Sequence, residues 1–517
     1  MPVTPTYPGL YLEELPSNAR TVTAAPTSIA VFVGYTHPFK TVFPNEAVQV
    51  FSFAEYERLF GGLYASGAIQ NDVAHAVNQF FLNGGSVAYV VGLVPQYRVP
   101  PVPPATLPTW QAVTGGTAAV GGALFTAREP TDTIGMSVTV SNASGTTADI
   151  VVSYGTQSET FRAVSLTAGT PSFIETVIGT STTPRSTLVT VAPATGGYGA
   201  SLPNGTVQLS TGAPATTEGT FSPDDFSDVF EADSSLDKVP IFNLLCLPGV
   251  VDRTVWAKAL AFAERKLAFA IIDAPYQAAA DATATPPLQP VADLFPQVPR
   301  STNAAFYFPW LRTTDPLTGR AMDLAPSGVV AGKFADTDRK RGVWKAPAGL
   351  ETSIASVSGV VAHGRLTDQR QGVLNLLGVN CIRTFRDAGT VVFGARTVVS
   401  ANPAFQPWRY VPVRRMALFI EQTLMNNLGW AVFEPNDAPL WTALRVTVSD
   451  FMLSLFNQHA FAGATPSEAF RVVCDATTTT PTDVDNGVAN ILVAFRPLKP
   501  AEFVVIKIAQ LAGQAQS

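Results

Sequence analysis

A change of composition divides this 517-residue chain more sharply than any short motif does. Residues 99–108 hold five prolines, a density that forbids helix and favours a stiff, extended linker. From there to residue 225 the chain is rich in Thr, Ser, Gly and Val, and helix signals are nearly absent. Short runs between turn residues predict strands in this segment. The sequence therefore predicts an inserted β-rich domain over 99–225, with a different fold on either side.

The flanking segments predict a mixed α/β core. A strand is expected over 28–34 and a helix over 52–60, which begins with a capping-box pattern. Residues 241–273 read as strand, helix and strand, a βαβ unit typical of a parallel sheet. Two amphipathic helices are expected over 412–427 and 439–461. The fold class is therefore α/β (α+β) with several domains.

Composition also argues against several classes of protein. Hydrophobic residues make up 46% of the chain and charged residues 14%, which argues against disorder. The net charge of -6 disfavours a general nucleic-acid-binding surface. The first residues have no basic region followed by an apolar one, so no secretory signal is expected. No apolar stretch reaches the roughly 18 residues that a membrane-spanning helix needs.

No set of residues resembles an active site. Residues 328–334 weakly resemble a phosphate-binding loop, but the glycines are one residue too close and the Ser/Thr is missing, so a turn followed by a strand is expected. Residues 483–487 resemble the start of a calcium loop without its closing Glu, which favours a capped turn. Residues 339–341 are the densest basic run, either a solvated turn or an ion-pairing surface in an assembly.

The histidines and cysteines lack the spacing of metal ligands. Sparse, scattered cysteines are expected to be small buried hydrophobes. We therefore predict no catalytic residue, no metal ligand and no cofactor, and we do not expect an enzyme. The residues concerned are His37, His75, His363, His459, Cys246, Cys381 and Cys474.

Short motifs lie along the chain on both sides of the β-rich segment. They are Pro8–Glu14, Thr27–Gly34, Phe53–Tyr56, Phe60–Gly62, Phe80–Gly85, Phe242–Gly249, Tyr307–Trp310, Pro326–Gly328, Gly342–Gly349, Asn380–Arg383, Gly394–Thr397, Arg414–Glu421, Trp430–Asp437, Cys474–Thr480 and Pro500–Phe503. In this order they resemble the contractile tail sheath proteins, which form the contracting sleeve of phage tails and of phage-tail-like contractile injection systems. Residues from about 100 to 225 match no motif of that family, as a variable outward insert would.

The resemblance implies a structural subunit that polymerises helically around an inner tube and contracts to drive the tube through a target envelope. It implies a core of residues 27–98 plus 360–509, with an inserted α/β domain over 226–359. Implied partners are copies of the chain itself in a six-fold stack of rings, an inner tube protein, and baseplate and terminal cap proteins. No nucleic acid and no direct membrane insertion are implied. The particle would be made in the bacterial cytoplasm and released by lysis.

The resemblance and polymer physics together predict the contact residues. The proline-dense arm, residues 1–26, and an edge strand over 502–508 should each add a strand to a neighbouring subunit, and residues 510–517 should fray. One of the two C-terminal helices should face the inner tube. The arm residues are Tyr7, Leu10, Tyr11, Leu12, Phe503, Val504, Val505 and Ile506; the tube residues are Arg414, Arg415 and Arg445.

Two alternatives from other classes of function stay open at this stage. One is a cytoplasmic enzyme on the βαβ domain, which would need a cleft with converging polar groups. The other is a β-rich shell protein or adhesin.

Overall fold

The computed structural model describes residues 21–64, 69, 72–131, 135–280, 289–503 and 505. The chain divides into two compact units. The larger unit is Pro26–Arg415, and the smaller one consists of Met416–Ser517 together with the N-terminal segment up to Ala25.

The first part of the larger unit confirms the predicted strand and capped helix. Helix α1 begins after Ser52, whose hydroxyl accepts a hydrogen bond from the Glu55 amide, and ends at Gly61, where φ is 85°. The elements are β1 Ala30–Tyr35, β2 Ala47–Val50, α1 Phe53–Phe60, α2 Asp72–Leu82, β3 Ala88–Leu93 and β4 Gln96–Val99.

The next segment is almost entirely β, as its composition predicts. Its strands form a four-stranded antiparallel sheet and a three-stranded one. They enclose an apolar cluster of their own, which includes Phe125, Ile150, Val152, Ile174 and Leu188. The elements are β5 Thr109–Ala112, β6 Thr117–Val120, β7 Ala123–Ala127, β8 Met136–Ser144, β9 Thr147–Tyr154, β10 Gln157–Ser165, α3 Ile174–Val177, β11 Val189–Pro193 and β12 Gly205–Gln208.

The rest of the larger unit alternates strands and helices. The elements are α4 Pro223–Ser227, β13 Leu244–Cys246, α5 Arg253–Arg265, β14 Phe269–Asp273, β15 Ala278–Ala279, β16 Gln289–Pro290, α6 Val291–Leu294, β17 Ala304–Phe308, β18 Leu311–Thr314, β19 Ala321–Leu324, α7 Ser327–Arg341, β20 Gly359–Val360, α8 Asp368–Leu377, β21 Val379–Phe385 and β22 Gly389–Val392.

An eight-stranded sheet in the order β2-β3-β1-β13-β14-β17-β21-β22 organises the larger unit. Its inner pairings are parallel, and only the β2–β3 and β21–β22 pairings at its two edges are antiparallel. The predicted βαβ unit is confirmed, since β13, α5 and β14 are joined in this way. Strands from the predicted segments 27–98, 226–359 and 360–509 share this sheet. The division of the chain into those domains stays a prediction.

Helix α7 corrects one sequence interpretation. Residues 328–334, expected to form a turn and a strand, lie within it. The Asp273 carboxylate accepts bonds of 2.7 Å from both the amide and the hydroxyl of Ser327 and so caps the first turn. A Cβ on Gly328 would lie 2.3 Å from the Ala76 carbonyl oxygen, and one on Gly332 would lie 2.8 Å from that of Phe80. The two glycines therefore let α7 pack closely on α2.

The smaller unit contains most of one long helix, a second long helix and a small sheet. The elements are α9 Val411–Asn427, which begins in the larger unit, then α10 Ala438–Asn457, α11 Pro466–Ala469, β23 Phe470–Val473, α12 Pro481–Asp485 and β24 Leu492–Phe495. Both predicted C-terminal helices are confirmed, and α10 ends four residues early. The calcium-loop-like run is a capped turn of helix, with a capping box between Thr480 and Asp483. No helix in the described part of the chain is long and apolar enough to cross a membrane.

Candidate assembly surfaces

The histidines and cysteines of the described residues form no metal-binding cluster. No group of three or more His, Cys, Asp or Glu side chains within them could hold a metal ion. All three cysteines are free and buried, as expected. His37 and His75 are buried as well, and burial lowers the pKa of His75 to about 4. Exposed strand edges, exposed apolar side chains and the positions of the predicted contact residues are described next.

The small sheet of the smaller unit has two open edges. Strands β23 and β24 pair only with each other among the described residues, in antiparallel register from Phe470 opposite Phe495 to Val473 opposite Leu492. Leu492 keeps 55% of its surface exposed. A two-stranded sheet is marginal alone, and each outer edge presents backbone groups that another strand can extend.

A loop between the two long helices exposes an aromatic side chain. Phe433 has a relative exposure of 102%, and its φ of 69° is one that non-glycine residues rarely adopt. Its neighbour Val432 is exposed as well. Exposed apolar groups in an unusual backbone conformation are typical of surfaces that another molecule covers.

The N-terminal segment lies on helix α9 within the smaller unit. The Asn427 side-chain amide accepts a bond from the Thr23 amide at 2.9 Å and donates one to the Thr23 carbonyl at 2.8 Å. The Ala25 amide donates to the Thr423 hydroxyl at 3.0 Å. The described part of the predicted arm thus has backbone partners on a helix, whereas Tyr7, Leu10, Tyr11 and Leu12 lie outside the described residues.

The other predicted arm is described only in part. Glu502, Phe503 and Val505 are not in a strand, and Val504, Ile506 and residues 507–508 lie outside the described residues. Phe503 and Val505 are exposed. Their role in a strand shared with a neighbour stays a prediction.

Arg415, one of three arginines predicted to face an inner tube, is buried in the larger unit. It is 4% exposed and binds both oxygens of Asp338, at 2.9 and 2.6 Å. It also donates to the Thr27 carbonyl at 2.9 Å, and its guanidinium lies 4.7 Å from the centre of the Phe334 ring. A buried bidentate ion pair of this kind is costly to break.

The other two arginines are half-buried. Arg414 donates to the Asn303 side chain at 2.7 Å and lies over the Trp408 ring. Arg445, on α10, has its guanidinium 3.5 Å from the Cys474 carbonyl oxygen. The basic run 339–341 is the last turn of α7, where it pairs with Asp336 and Glu351. The tube-contact role of the three arginines stays a prediction.

A buried charged cluster joins the β-rich segment to the loop that follows β1. His37 is wholly buried, and its Nδ1 accepts a bond from the Phe39 amide at 3.1 Å. The ring proton must then be on Nε2, which donates to Glu129 at 3.0 Å. Lys40 forms an ion pair with the same carboxylate. We call His37, Lys40 and Glu129 the latch.

The latch was missed by sequence reasoning. Glu129 is separated from His37 by 92 residues, and no local pattern marks a glutamate as buried. Burial would raise the pKa of Glu129, but the His37 hydrogen bond and the Lys40 charge hold this pKa below its usual value. Burial lowers the pKa of His37, against the effect of Glu129. The latch therefore consists of a neutral histidine, an ionised glutamate and a lysine.

The chain matches a known protein over part of its sequence and solved structures over nearly its full length. No protein-family model matches the chain. A tail sheath protein of Vibrio phage KVP40 is 26% identical over 192 residues, which are 37% of this chain and only 27% of the phage protein.

Solved structures match over nearly the full chain. The sheath complex of an extracellular contractile injection system, PVC, in its contracted state has a TM-score of 0.59, with 21% identity and 98% of each chain covered. The helical sheath of the anti-feeding prophage in its contracted state has a TM-score of 0.58, with 22% identity, covering 98% of this chain and 100% of that one. A sheath tail protein from Desulfitobacterium hafniense has a TM-score of 0.54, with 12% identity, covering 95% of this chain and 100% of that one.

These matches include most of the β-rich segment, because they cover 98% of this chain. The resemblance that the ordered motifs predicted is confirmed, and the chain has the fold of the contractile tail sheath proteins.

Proposed function

We propose that this chain is the subunit of a contractile sheath, which polymerises helically around an inner tube and shortens to drive the tube forward. The observation that carries the proposal is the match over 98% of the chain to sheath proteins solved in contracted assemblies. The function is mechanical. The similar proteins are structural sheath components, and no feature of the described residues favours the enzyme, shell or adhesin alternatives.

The open edges of β23 and β24 support self-assembly. In the proposed lattice, the N-terminal arm and the 502–508 segment of neighbouring subunits add strands to these edges. Main-chain hydrogen bonds made in this way persist through rigid-body motion of the subunits if the connecting segments flex. A head-to-tail contact of this type does not close on itself and so generates a helix.

The other partners follow from the same proposal. The sheath is a stack of six-fold rings, made in the bacterial cytoplasm with a baseplate and a terminal cap and released by lysis as a phage tail or phage-tail-like particle. It binds no nucleic acid and does not insert into a membrane. A similar chain has been solved in the baseplate of the anti-feeding prophage, which supports a baseplate partner.

Arg414 and Arg445 are the better candidates for inner-tube contacts, because both keep part of their side chains exposed. Arg415 can serve this role only in a conformation in which it leaves Asp338.

Electron microscopy of the purified protein tests the proposal. We expect helical rods with a hollow centre, and a decrease in rod length when extended rods assembled with tube protein are exposed to acid or urea. Discrete particles that never form rods or rings, at any protein concentration and with or without tube protein, would overturn it.

A further inference from the structure

We infer that Asn427 and Thr423 form an anchor that fixes residues 23–25 on helix α9 and so sets where the predicted N-terminal arm begins. The anchor is a property of the single chain. Its consequence for contraction rests on the proposed sheath function, and the two parts are tested separately below.

The two residues that the anchor uses on the helix are about as far apart as the two residues that it binds in the N-terminal segment. Thr423 and Asn427 are one helical turn apart on α9, about 6 Å at a rise of about 1.5 Å per residue. Thr23 and Ala25 are two residues apart in an extended segment, about 6.6 Å at about 3.3 Å per residue. The segment runs antiparallel to the helix. The amides of Thr23 and Ala25 therefore lie opposite the side chains of Asn427 and Thr423.

The Asn427 amide is held in one orientation. Its nitrogen donates to two carbonyls, those of Thr23 and of Thr423, at 2.8 and 2.7 Å. Its oxygen accepts from the Thr23 amide. A flipped amide would place its oxygen against two carbonyls and its nitrogen against an N–H group, so the network selects this orientation. Both backbone groups of Thr23 are thereby tied to one side chain.

A similar backbone contact lies within the larger unit. There Arg415, held by Asp338, donates to the Thr27 carbonyl. Thr23, Ala25 and Thr27 are thus each bound through the backbone by a side chain of α9. The anchor therefore fixes the backbone of the N-terminal segment from Thr23 onward.

The anchor sets the length of chain that connects one subunit to the next. When it is lost, residues 23–26 join the free arm without any change in the arm's own sequence. A longer connection leaves the added strand paired but transmits less motion between subunits. The connecting segment must first be stretched before it can pull on the next subunit. Through the anchor, a force that a neighbouring subunit exerts on the arm acts directly on helix α9.

Amide hydrogen exchange on the monomer tests the anchor itself. In a variant that carries Asn427→Ala and Thr423→Val, the amides of Thr23 and Ala25 should exchange at least about tenfold faster than in the wild type, as expected for lost hydrogen bonds. The matched control is Asn426→Ala, which changes the adjacent, exposed asparagine. Thr423→Ser, which keeps the hydroxyl, should leave the Ala25 amide protected. Unchanged exchange of both amides in the double variant, with circular dichroism like that of the wild type, would overturn the inference.

The sheath assay tests the consequence. Rods of the double variant should form and contract incompletely, whereas Asn426→Ala rods should contract fully. Full contraction of the double variant, despite fast exchange, would show that the anchor does not limit the arm. Wild-type protein that forms no rods would reject the proposed function and leave the exchange result intact.

Discussion

Both the β-rich segment and the small C-terminal sheet contain edge strands. The two regions differ in how those edges are stabilised. The β-rich segment has a four-stranded and a three-stranded sheet, an apolar cluster of its own and the buried latch to the loop after β1. The C-terminal sheet has two strands, and among the described residues neither has a partner on its outer edge. The apolar cluster beside it is small, built on Leu440, Leu444 and Cys474. The first region has a core of its own, and the second is one that we propose neighbours complete by supplying strands.

Deleting residues 1–20 gives the largest expected effect, because it removes the strand that should complete a neighbour's sheet. We expect ordered assembly to be abolished and soluble protein to remain. The monomer should unfold at the same temperature as the wild type, since the anchored residues 23–25 are kept. The measurement is rod formation by electron microscopy beside thermal unfolding of the monomer. Normal rods from the deletion variant would show that the arm does not connect the lattice.

Glu129→Gln tests how much the latch contributes to the stability of the β-rich region. The change leaves the Lys40 ammonium without its buried carboxylate and weakens the bond from His37. The expected cost is about 1–3 kcal/mol of unfolding free energy. The matched control is Glu218→Gln, which breaks the exposed Arg98–Glu218 pair and should cost about 0–1 kcal/mol. Equal effects of the two variants in urea denaturation would mean that the latch stabilises no more than a surface ion pair.

The comparison also shows which features a sequence can reveal. Local signals were sufficient for the Ser52 cap and the βαβ unit, because each depends on residues close together in the chain. They failed for α7, where the glycines serve contact with a distant helix. They failed for the latch too, since a buried carboxylate is defined by partners 89 and 92 residues away. Arg415 was selected for its charge, but its burial against Asp338 follows from packing.

Acid should weaken the latch. The folded-state pKa of Glu129 lies below its ordinary 4.5, so its contribution to stability is present above that value and is lost as pH falls through the folded pKa. His37 has a folded pKa below 6.5, so its contribution begins to fall below pH 6.5. A second ring proton would also face the Phe39 amide. The charged groups that act on this pair are Lys40 and Arg128.

The pH effect is best measured as a difference, because burial raises the pKa of Asp72 and of Asp273 to about 7 and gives both the opposite pH dependence. The wild-type advantage in unfolding free energy over Glu129→Gln should shrink as pH falls from 6.5 towards 4. A constant advantage across this range would mean that the latch groups do not titrate on unfolding.

Charge reversal at the predicted tube contacts should have a smaller effect for each residue. Exposed ion pairs contribute about 0–1 kcal/mol each, although a lattice repeats them. Arg414→Glu with Arg445→Glu should weaken extended sheath formation around the tube, and more so at low salt. Arg415→Glu belongs in a separate variant, because it also places a carboxylate beside Asp338 and should destabilise the subunit. Normal extended sheath at both high and low salt from the double variant would reject these contacts.

Replacing residues 102–225 with a short Gly/Ser linker should have the smallest effect on assembly. The segment has its own apolar cluster and matches none of the sheath motifs, so we expect it to project outward and to be dispensable for polymerisation. The replacement also removes Glu129 and leaves His37 and Lys40 without their partner, which lowers subunit stability without changing the C-terminal sheet. Rods of the replaced variant should keep the helical repeat of the wild type and become thinner. The control is circular dichroism of the monomer. A folded monomer that makes no rods would show that the β-rich segment takes part in the lattice, and the contrast between a self-contained region and an incomplete one would then fail.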